Sequence, residues 1–276
     1  MICVKLQGGL GNQLFQFAAG SAVADYHKTT LMFDLSFLKK RENNSGYTFR
    51  NYELNGFEYL RIPSQTIIEK IKIRVRSINY YEEKTLRFDP LIFQQTFQNS
   101  YLKGYFQSEK YFESIKPQLR NILAIQVPHA NYTLEKIMKT NSLSLHIRRG
   151  DYISNPENLK FHGLCSISYY HQAIKHIAEH VPDLHVFVFS DDLNWARQHL
   201  VVNYPVHFVD NNNSIADMQL MSLCKHNVTA NSSYSWWGAW LNNNPDKIVV
   251  APKKWFADTI AESQSETIVP EKWIRL

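Results

Sequence analysis

The stretch SISYYHQAIKHIAEHVPDLHVFVFS, residues 166–190, decides the fold class of this chain. Its first part, 166–181, places apolar residues at helical spacing, whereas its second part, 184–190, is a continuous apolar run. Continuous apolar strands are typical of parallel sheets that helices cover on both faces. The stretch therefore predicts one unit of a repeating helix–strand pattern.

The same alternation continues on both sides of this stretch. Further strands are predicted at 142–147, 206–210, 226–230 and 247–252. Further helices are predicted to begin at 191 and to cover 214–225 and 232–242. A regular alternation of this kind predicts an α/β fold with a doubly wound parallel sheet.

The first half of the chain is less regular but begins in the same way. A short strand (1–6) leads into the glycine-rich turn QGGLGNQ (7–13) and then into a helical pattern. We therefore favour two α/β domains over one, with domains at 1–130 and 131–276. The segment PHAN, Pro128–Asn131, is the best candidate for the boundary.

Composition narrows the classes of function. The chain has no run of 18 apolar residues, which predicts no membrane span, and its N-terminus lacks the pattern of a signal peptide. Three widely spaced cysteines suit reduced thiols and a cytoplasmic chain. The net charge of +5 is compatible with nucleic acid, an anionic membrane surface or an anionic small substrate, and does not choose among them.

The sharpest candidate for chemistry is HIRRGDY, residues 146–152, at the end of a predicted strand. His146 and Arg148 lie two residues apart and share a face of that strand. A guanidinium group binds phosphate oxygens through two parallel hydrogen bonds, so a diphosphate would suit the two arginines. The alternative is a structural salt bridge, from Arg149 to Asp151 or to a distant carboxylate, and we expect it for one of the two arginines.

Three other segments follow predicted strands, where ligands of open α/β sheets bind. GGLGNQ supplies Gly9, Gly11, Asn12 and Gln13 at the start of a helix, but it matches neither a dinucleotide fingerprint nor a P-loop. In SDD, we expect Ser190 or Asp191 to be a helix N-cap, with a ligand contact as a secondary role.

The third segment, NSSYSWWGAW, opens a helix. Asn231, Ser232 and Ser233 would hold a phosphate there or would only cap the helix. The tryptophans that follow are expected to pack in the core or between domains.

Taken together, GGLGNQLFQFA, HIRRGDY, FVFSDD and NSSYSWWGAWL resemble, in order and spacing, the bacterial α-1,2-fucosyltransferases. The resemblance spans residues 4 to about 255. It implies a GT-B architecture, in which two Rossmann-like domains face each other across a cleft. It also implies an inverting transfer of fucose from GDP-β-L-fucose without a metal or other cofactor.

The resemblance also assigns residues. Arg148 would bind the β-phosphate of the donor, Arg149 would hold the site in shape, and His146 would lie beside the nucleotide. In the wider group of fucosyltransferases, an aspartate that holds guanine lies sixteen residues before a phosphate-binding serine. Asp217 and Ser233 have that separation here.

The general base is left open among three residues. Asp151 follows the arginines, although it would also serve as a partner of Arg149. Glu157 follows shortly afterwards, but its match to the glutamate of the α-1,6 relatives is off by one position. His162, in the sequence FHG, is the third candidate.

The expected reaction is transfer of fucose to the 2-hydroxyl of a terminal galactose-type acceptor, probed most simply with a β-galactoside. A lipid-linked unit of O-antigen or another surface glycan is the natural acceptor, handled in the cytoplasm or at the inner face of the membrane. The alternative is a related GDP-sugar transferase with another linkage or a protein acceptor. A Rossmann dehydrogenase and a non-catalytic nucleic-acid or glycan-binding module are disfavoured. Four aromatic residues of the first half would stack on acceptor sugars or belong to the core: Tyr47, Phe49, Tyr105 and Phe106.

Overall fold

The computed structural model describes residues 1–39, 50–60, 79–124, 132–210 and 213–276. The chain forms two compact units. The first comprises Met1–Ala124 with Glu266–Ile268, and the second comprises Ile125–Ser265 with Val269–Leu276. The predicted boundary at Pro128–Asn131 lies outside the described residues, as do Tyr47 and Phe49.

The first unit contains a four-stranded parallel sheet with the order β2-β1-β4-β3. Its strands are β1 (Ile2–Lys5), β2 (Leu31–Asp34), β3 (Asn79–Glu82) and β4 (Ser100–Lys103). Its helices are α1 (Leu10–Tyr26), α2 (Ser36–Lys39), α3 (Ile92–Gln95) and α4 (Lys116–Ile122). Helix α1 packs closely on the sheet, since a Cβ atom at Gly20 would lie 2.4 Å from Val4 Cγ2.

The second unit contains a six-stranded parallel sheet with the order β10-β9-β8-β5-β6-β7. Its strands are β5 (Asn141–Ile147), β6 (Leu184–Ser190), β7 (Val206–Phe208), β8 (His226–Val228), β9 (Val249–Ala251) and β10 (Ile274–Arg275). Its longer helices are α5 (Tyr132–Lys139), α8 (Ile167–Ala178), α10 (Ser214–Leu223) and α11 (Ser233–Leu241). Its shorter helices are α6 (Gly150–Ser154), α7 (Pro156–His162), α9 (Leu193–His199) and α12 (Thr259–Glu262).

The apolar patterns of the sequence account for this core. Strands β5 and β6 are buried along almost their whole length, because helices cover the sheet on both faces. Trp236 and Trp237 are fully buried, with ring centroids 5.1 Å apart, so the tryptophan-rich helix packs in the core of the second unit.

Both units are α/β with parallel sheets, which confirms the predicted fold class of two Rossmann-like units. The strand predicted at 184–190 has the observed bounds, and the strands predicted at 206–210 and 247–252 are shorter than expected. Several elements were not predicted, among them the strands β3 and β10 and the helices α3, α5, α6, α7 and α12. None of the helices within the described ranges is long and apolar enough to cross a membrane.

Candidate functional site

The strand order of the second unit has one switch point. From β5 the chain moves through β6 to β7 in one direction, whereas β8, β9 and β10 extend in the other. Ligands of doubly wound sheets bind at such a point, beyond the carboxyl ends of the strands. The segments that follow β5 and β8 meet there, because the hydroxyl of Tyr152 donates a hydrogen bond of 3.2 Å to the backbone oxygen of Asn231.

Arg148 lies directly after β5, and two carboxylates bind it. Its Nη1 atom lies 2.8 Å from Asp191 Oδ2, and its Nη2 atom donates to Asp151 Oδ1. The register of β5 against β6 pairs Ile147 with Ser190, which brings Arg148 and Asp191 side by side at the strand ends. Burial disfavours the charge of Arg148, but the two carboxylates outweigh burial and raise its pKa.

Arg149 has a separate set of contacts. Its Nε atom lies 3.3 Å from Asp192 Oδ2, and its guanidinium lies 3.8 Å from the centre of the Trp195 ring. Its backbone N–H donates to Asp191 Oδ1 at 2.8 Å. A salt bridge was expected for one arginine, but both arginines are paired. The suggested pairing of Asp151 with Arg149 is wrong, because Asp151 lies on the next helical turn beside Arg148.

Gly150 is required by the close approach of Asp191. A Cβ atom at this position would lie 2.6 Å from Asp191 Oδ2, which is far inside van der Waals contact. The glycine of the RRGD sequence therefore allows one carboxylate to bind the guanidinium of Arg148 and the backbone of Arg149 together.

The helix cap after β6 also differs from expectation. Ser190 or Asp191 was expected to cap the following helix, but Asp192 is the N-cap of α9, accepting from Trp195 N at 3.1 Å. Ser190 instead accepts from the backbone of Asp192 at 2.9 Å. Asp191 is thus left to bind the two arginines.

The formal charges of this cluster are nearly balanced. Arg148 and Arg149 supply two positive charges, and Asp151, Asp191 and Asp192 supply three negative ones. The anion that the sequence places beside the arginines is, in this structure, the protein's own carboxylates. A diphosphate that binds Arg148 must therefore compete with them.

Two histidines border the cluster. His146 is 3% exposed, and no group in the described part of the chain forms a hydrogen bond with its Nδ1 atom. Burial, with a smaller contribution from Arg148, lowers its pKa to about 4. The ring of His162 is stacked on Tyr152 with centroids 4.6 Å apart, and burial lowers its pKa to about 4 as well. Both imidazoles are therefore neutral at pH 7.

The segment after β8 lies beside this cluster. Asn231 is buried, and its Nδ2 atom donates to the backbone oxygens of His162 at 2.9 Å and Trp255 at 3.2 Å, so it holds two loops together. Ser232 is the N-cap of α11 and accepts from Tyr234 N. Ser233 is the first residue of α11 and is partly exposed.

Asp217 lies in the first turn of α10 and is partly exposed. The first turns of α10 and α11 are adjacent, since the hydroxyl of Tyr234 donates to the backbone oxygen of Ser214 at 2.5 Å. The structure thus places Asp217 and Ser233 on neighbouring helix starts. Glu157 is exposed on the first turn of α7.

The glycine-rich turn belongs to the first unit. Gly8 has a φ of +78°, a conformation that favours glycine, and Gly9 is the N-cap of α1. Gln13 is buried, and its amide bonds the backbone of Gly8, Asn51 and Glu53. Asn12 Oδ1 accepts from Gln107 at 2.7 Å, and Gly11 is buried. Protein partners therefore occupy both amides, and their contact with a donor stays a prediction. Of the aromatic residues expected on this side, Phe106 is in the core and Tyr105 is partly exposed.

Sequence reasoning missed three members of the cluster: Tyr152, Asp192 and Trp195. Tyr152 lies in the same HIRRGDY segment as Arg148, but no spacing in that segment marked its ring as a neighbour of the guanidinium. In the described ranges, no group of three or more histidine, cysteine, aspartate or glutamate residues is arranged to hold a metal ion.

The sequence of this chain matches one protein family and several known proteins along most of its length. The family described as Glycosyl transferase family 11 matches residues 1–276. An alpha-1,2-colitosyltransferase of Escherichia coli is 36% identical over 299 residues, covering 100% of this chain and 99% of the relative. The O-antigen biosynthesis glycosyltransferase WbnK of Escherichia coli is also 36% identical, covering 98% of this chain and 99% of that protein. A galactoside 2-alpha-L-fucosyltransferase of Caenorhabditis elegans is 25% identical over 186 residues, covering 62% of this chain and 51% of that protein.

Proposed function

The chain belongs to glycosyl transferase family 11 and is a glycosyltransferase; on this premise we propose that it transfers L-fucose from GDP-β-L-fucose. The acceptor in this proposal is the 2-hydroxyl of a terminal galactose-type sugar, and the anomeric centre is inverted. The second unit binds the donor, and the first unit contributes mainly to the acceptor side.

One observation carries the proposal: an arginine whose side chain is only 20% exposed lies at the topological switch point, beside the start of a helix. Arg148 follows β5, and the segment of Asn231 and Ser233 follows the neighbouring strand β8. A diphosphate at this point would meet a guanidinium on one side and the N-terminal end of α11, which favours anions, on the other.

The neighbouring helix start suits the guanine base. Asp217 lies one helix away from Ser233, and a carboxylate there would accept hydrogen bonds from guanine N1 and N2. Uracil offers one N–H group on its pairing edge and no amino group. This difference supports selection of GDP over UDP.

Arg148 would neutralise the charge that develops on the departing GDP. The carboxylates of Asp151 and Asp191 hold the guanidinium in place, and one of them must yield when the diphosphate binds. Removing such a preorganised donor typically lowers the rate by a factor of about 10²–10³. No step of this scheme needs a metal ion, which is a prediction that EDTA tests.

The acceptor hydroxyl must lose a proton, and three residues are the candidates for the base. Asp151 and His162 both border Arg148, whereas Glu157 lies on the exposed face of α7. Alanine at the true base will abolish transfer and leave GDP binding intact. If all three single alanine variants keep a normal kcat, none of them is the base.

A second candidate donor sugar is colitose, which is L-fucose without its 3-hydroxyl. The full-length relative that is named an alpha-1,2-colitosyltransferase favours it. In either case the relative named for O-antigen biosynthesis supports an acceptor that belongs to a surface glycan. The proposal includes attachment of this glycan to a lipid at the cytoplasmic face of the membrane.

The test is release of GDP from GDP-fucose with and without a β-galactoside, in the presence of EDTA. GDP-colitose, GDP-mannose and UDP-galactose are the donor comparisons. Acceptor-stimulated release from GDP-fucose that survives EDTA, with an α-1,2 linkage in the product, supports the proposal. Turnover of GDP-colitose alone would replace fucose by colitose, and turnover of UDP-galactose would refute the assignment of GDP.

A further inference from the structure

The second unit contains a cavity of about 560 Å³ beside the arginine cluster. It lies beyond the carboxyl ends of β8 and β9, since Asn231 and Pro252 line it. This is the edge of the sheet at which ligands of doubly wound folds bind. The volume is in the range of small-molecule sites and is large enough for one or two sugar rings.

The walls of the cavity are tied together by hydrogen bonds. The backbone N–H groups of Ala257 and Asp258 both donate to Phe161 O, at 3.0 and 3.1 Å. The carboxylate of Glu262 accepts from the N–H groups of Trp255 and Phe256, each at 2.9 Å. The cavity is therefore preformed and does not need to be assembled by its ligand.

His162 connects the cavity to the candidate site. It lines the cavity, and its ring is stacked on Tyr152 at an interplanar angle of 6°. The guanidinium of Arg148 lies 5.6 Å from the centre of the Tyr152 ring. The rings of His162 and Tyr152 thus lie between a ligand in the cavity and Arg148. An oligosaccharide is long enough to bridge this gap.

The chemistry of the lining selects one class of ligand. Lys253 and Lys254 line the cavity with exposed side chains, and neither forms an ion pair with a residue in the described part of the chain. Among the described residues the lining holds no aspartate or glutamate side chain; it also includes Leu276, whose backbone oxygen accepts from Lys253 N at 2.6 Å. His162 and Phe256 add aromatic rings, which pack against the C–H faces of sugars.

We propose that this cavity of the second unit adds to the acceptor side, to which the first unit contributes mainly in the proposed function, by binding a sugar residue that carries a negative charge, either a carboxylate or a phosphate. The charged residue lies next to the terminal galactose that receives the transferred sugar. The inference rests on the proposed function for the identity of the galactose, but the binding itself is measured without any donor.

The experiment uses three acceptors with the same terminal β-galactose: lactose, galactosyl-glucuronic acid and lactose 1-phosphate. Steady-state transfer and direct calorimetric titration without donor are measured for the wild type and for the K253A/K254A variant. The matched control is K175A/K272A, which removes two exposed lysines of the same unit that do not line the cavity.

We expect at least one charged acceptor to have a KM about tenfold below that of lactose. Comparing the KM of galactosyl-glucuronic acid with that of lactose 1-phosphate shows which anion is preferred. K253A/K254A should remove this difference and leave kcat, the KM of lactose and the Kd of GDP unchanged. The control variant should behave as the wild type. Since the interaction is between charges, the preference should weaken as salt is added.

Two results would overturn the proposal. One is a wild type that binds all three acceptors equally. The other is a K253A/K254A variant whose affinity for GDP falls, because the cavity would then belong to the donor. If GDP-fucose supports no transfer at all, the proposed function fails, whereas lysine-dependent binding of the charged galactosides still decides the role of the cavity.

Discussion

The substitution Gly150→Ala tests the geometry of the arginine cluster directly. The new methyl group would lie 2.6 Å from Asp191 Oδ2, whereas ordinary contact begins at 3.4 Å, so the carboxylate must move by 0.8 Å. That movement weakens two hydrogen bonds of 2.8 Å, one to Arg148 and one to the backbone of Arg149.

The expected cost is about 2–4 kcal/mol, since a hydrogen bond to a charged group contributes about 1.5–3 kcal/mol and these two are only partly buried. For a chain of this size, each kcal/mol lowers Tm by about 2–4 °C, so Tm should fall by about 4–16 °C. The measurements are thermal unfolding and chemical denaturation of the purified protein.

A double-mutant cycle with Asp191→Ala provides the control. If the methyl group acts through Asp191, adding Gly150→Ala to Asp191→Ala should cost nothing further. It should even stabilise the helix by up to about 1 kcal/mol, because alanine replaces glycine at a helical position. Additive losses in the double variant would refute the reasoning, as would a single variant with the stability of the wild type.

Three further predictions concern stability. The pKa of His162 is about 4 in the folded chain and about 6.5 when unfolded, so its contribution to stability is present above pH 6.5 and is lost as the pH falls towards 4. His162→Phe keeps the ring stack and should therefore lose less stability than the wild type between pH 7 and 4 in denaturant titrations. Equal losses in the two proteins would contradict this. Asn231→Ala should lower stability by about 2–4 kcal/mol, because a buried backbone oxygen of Trp255 and a partly buried one of His162 lose their donor. Asn227 makes a buried network with Ser144, so Asn227→Ala should show a loss of similar size. Unchanged stability of Asn231→Ala in denaturant titrations would contradict this expectation. Burial raises the pKa of Glu83 to about 7, so its contribution to stability is present below pH 4.5 and is lost as the pH rises through 7. Glu83→Gln should therefore flatten the pH dependence of the free energy of unfolding between pH 5 and 8. An unchanged profile would show that this carboxyl does not titrate there.

The sequence predicts the fold well where local patterns decide it. The strand at 184–190 is a continuous apolar run and has the predicted bounds. By contrast, β10 has only two residues, Ile274–Arg275, and pairs with β9. So short a strand leaves no local pattern in the sequence. The short helices α6 and α7 occupy the loop after Arg149 and have few buried residues, which leaves no amphipathic pattern to detect.

For the site, the sequence predicts which segments meet but not which side chains pair. Parallel strands place 148–152, 190–192 and 231–233 at one edge of the sheet, as expected. The choice of Asp191 as the partner of Arg148 depends on the register of β5 with β6 and on the space that Gly150 leaves. Neither the register nor this space can be derived from spacing in the sequence.

The central claim is that Arg148 at the switch point binds the diphosphate of a GDP-sugar, and calorimetric titration of GDP tests it most directly. The wild type, Arg148→Ala and Arg197→Ala are compared, with UDP as the ligand control. Arg197 is a matched choice because it forms an ion pair with Asp210, at 3.3 Å, elsewhere on the same unit. The account predicts saturable binding of GDP but not of UDP, a loss of at least tenfold in Arg148→Ala, and no change in Arg197→Ala. Folded Arg148→Ala protein that binds GDP as tightly as the wild type would contradict it.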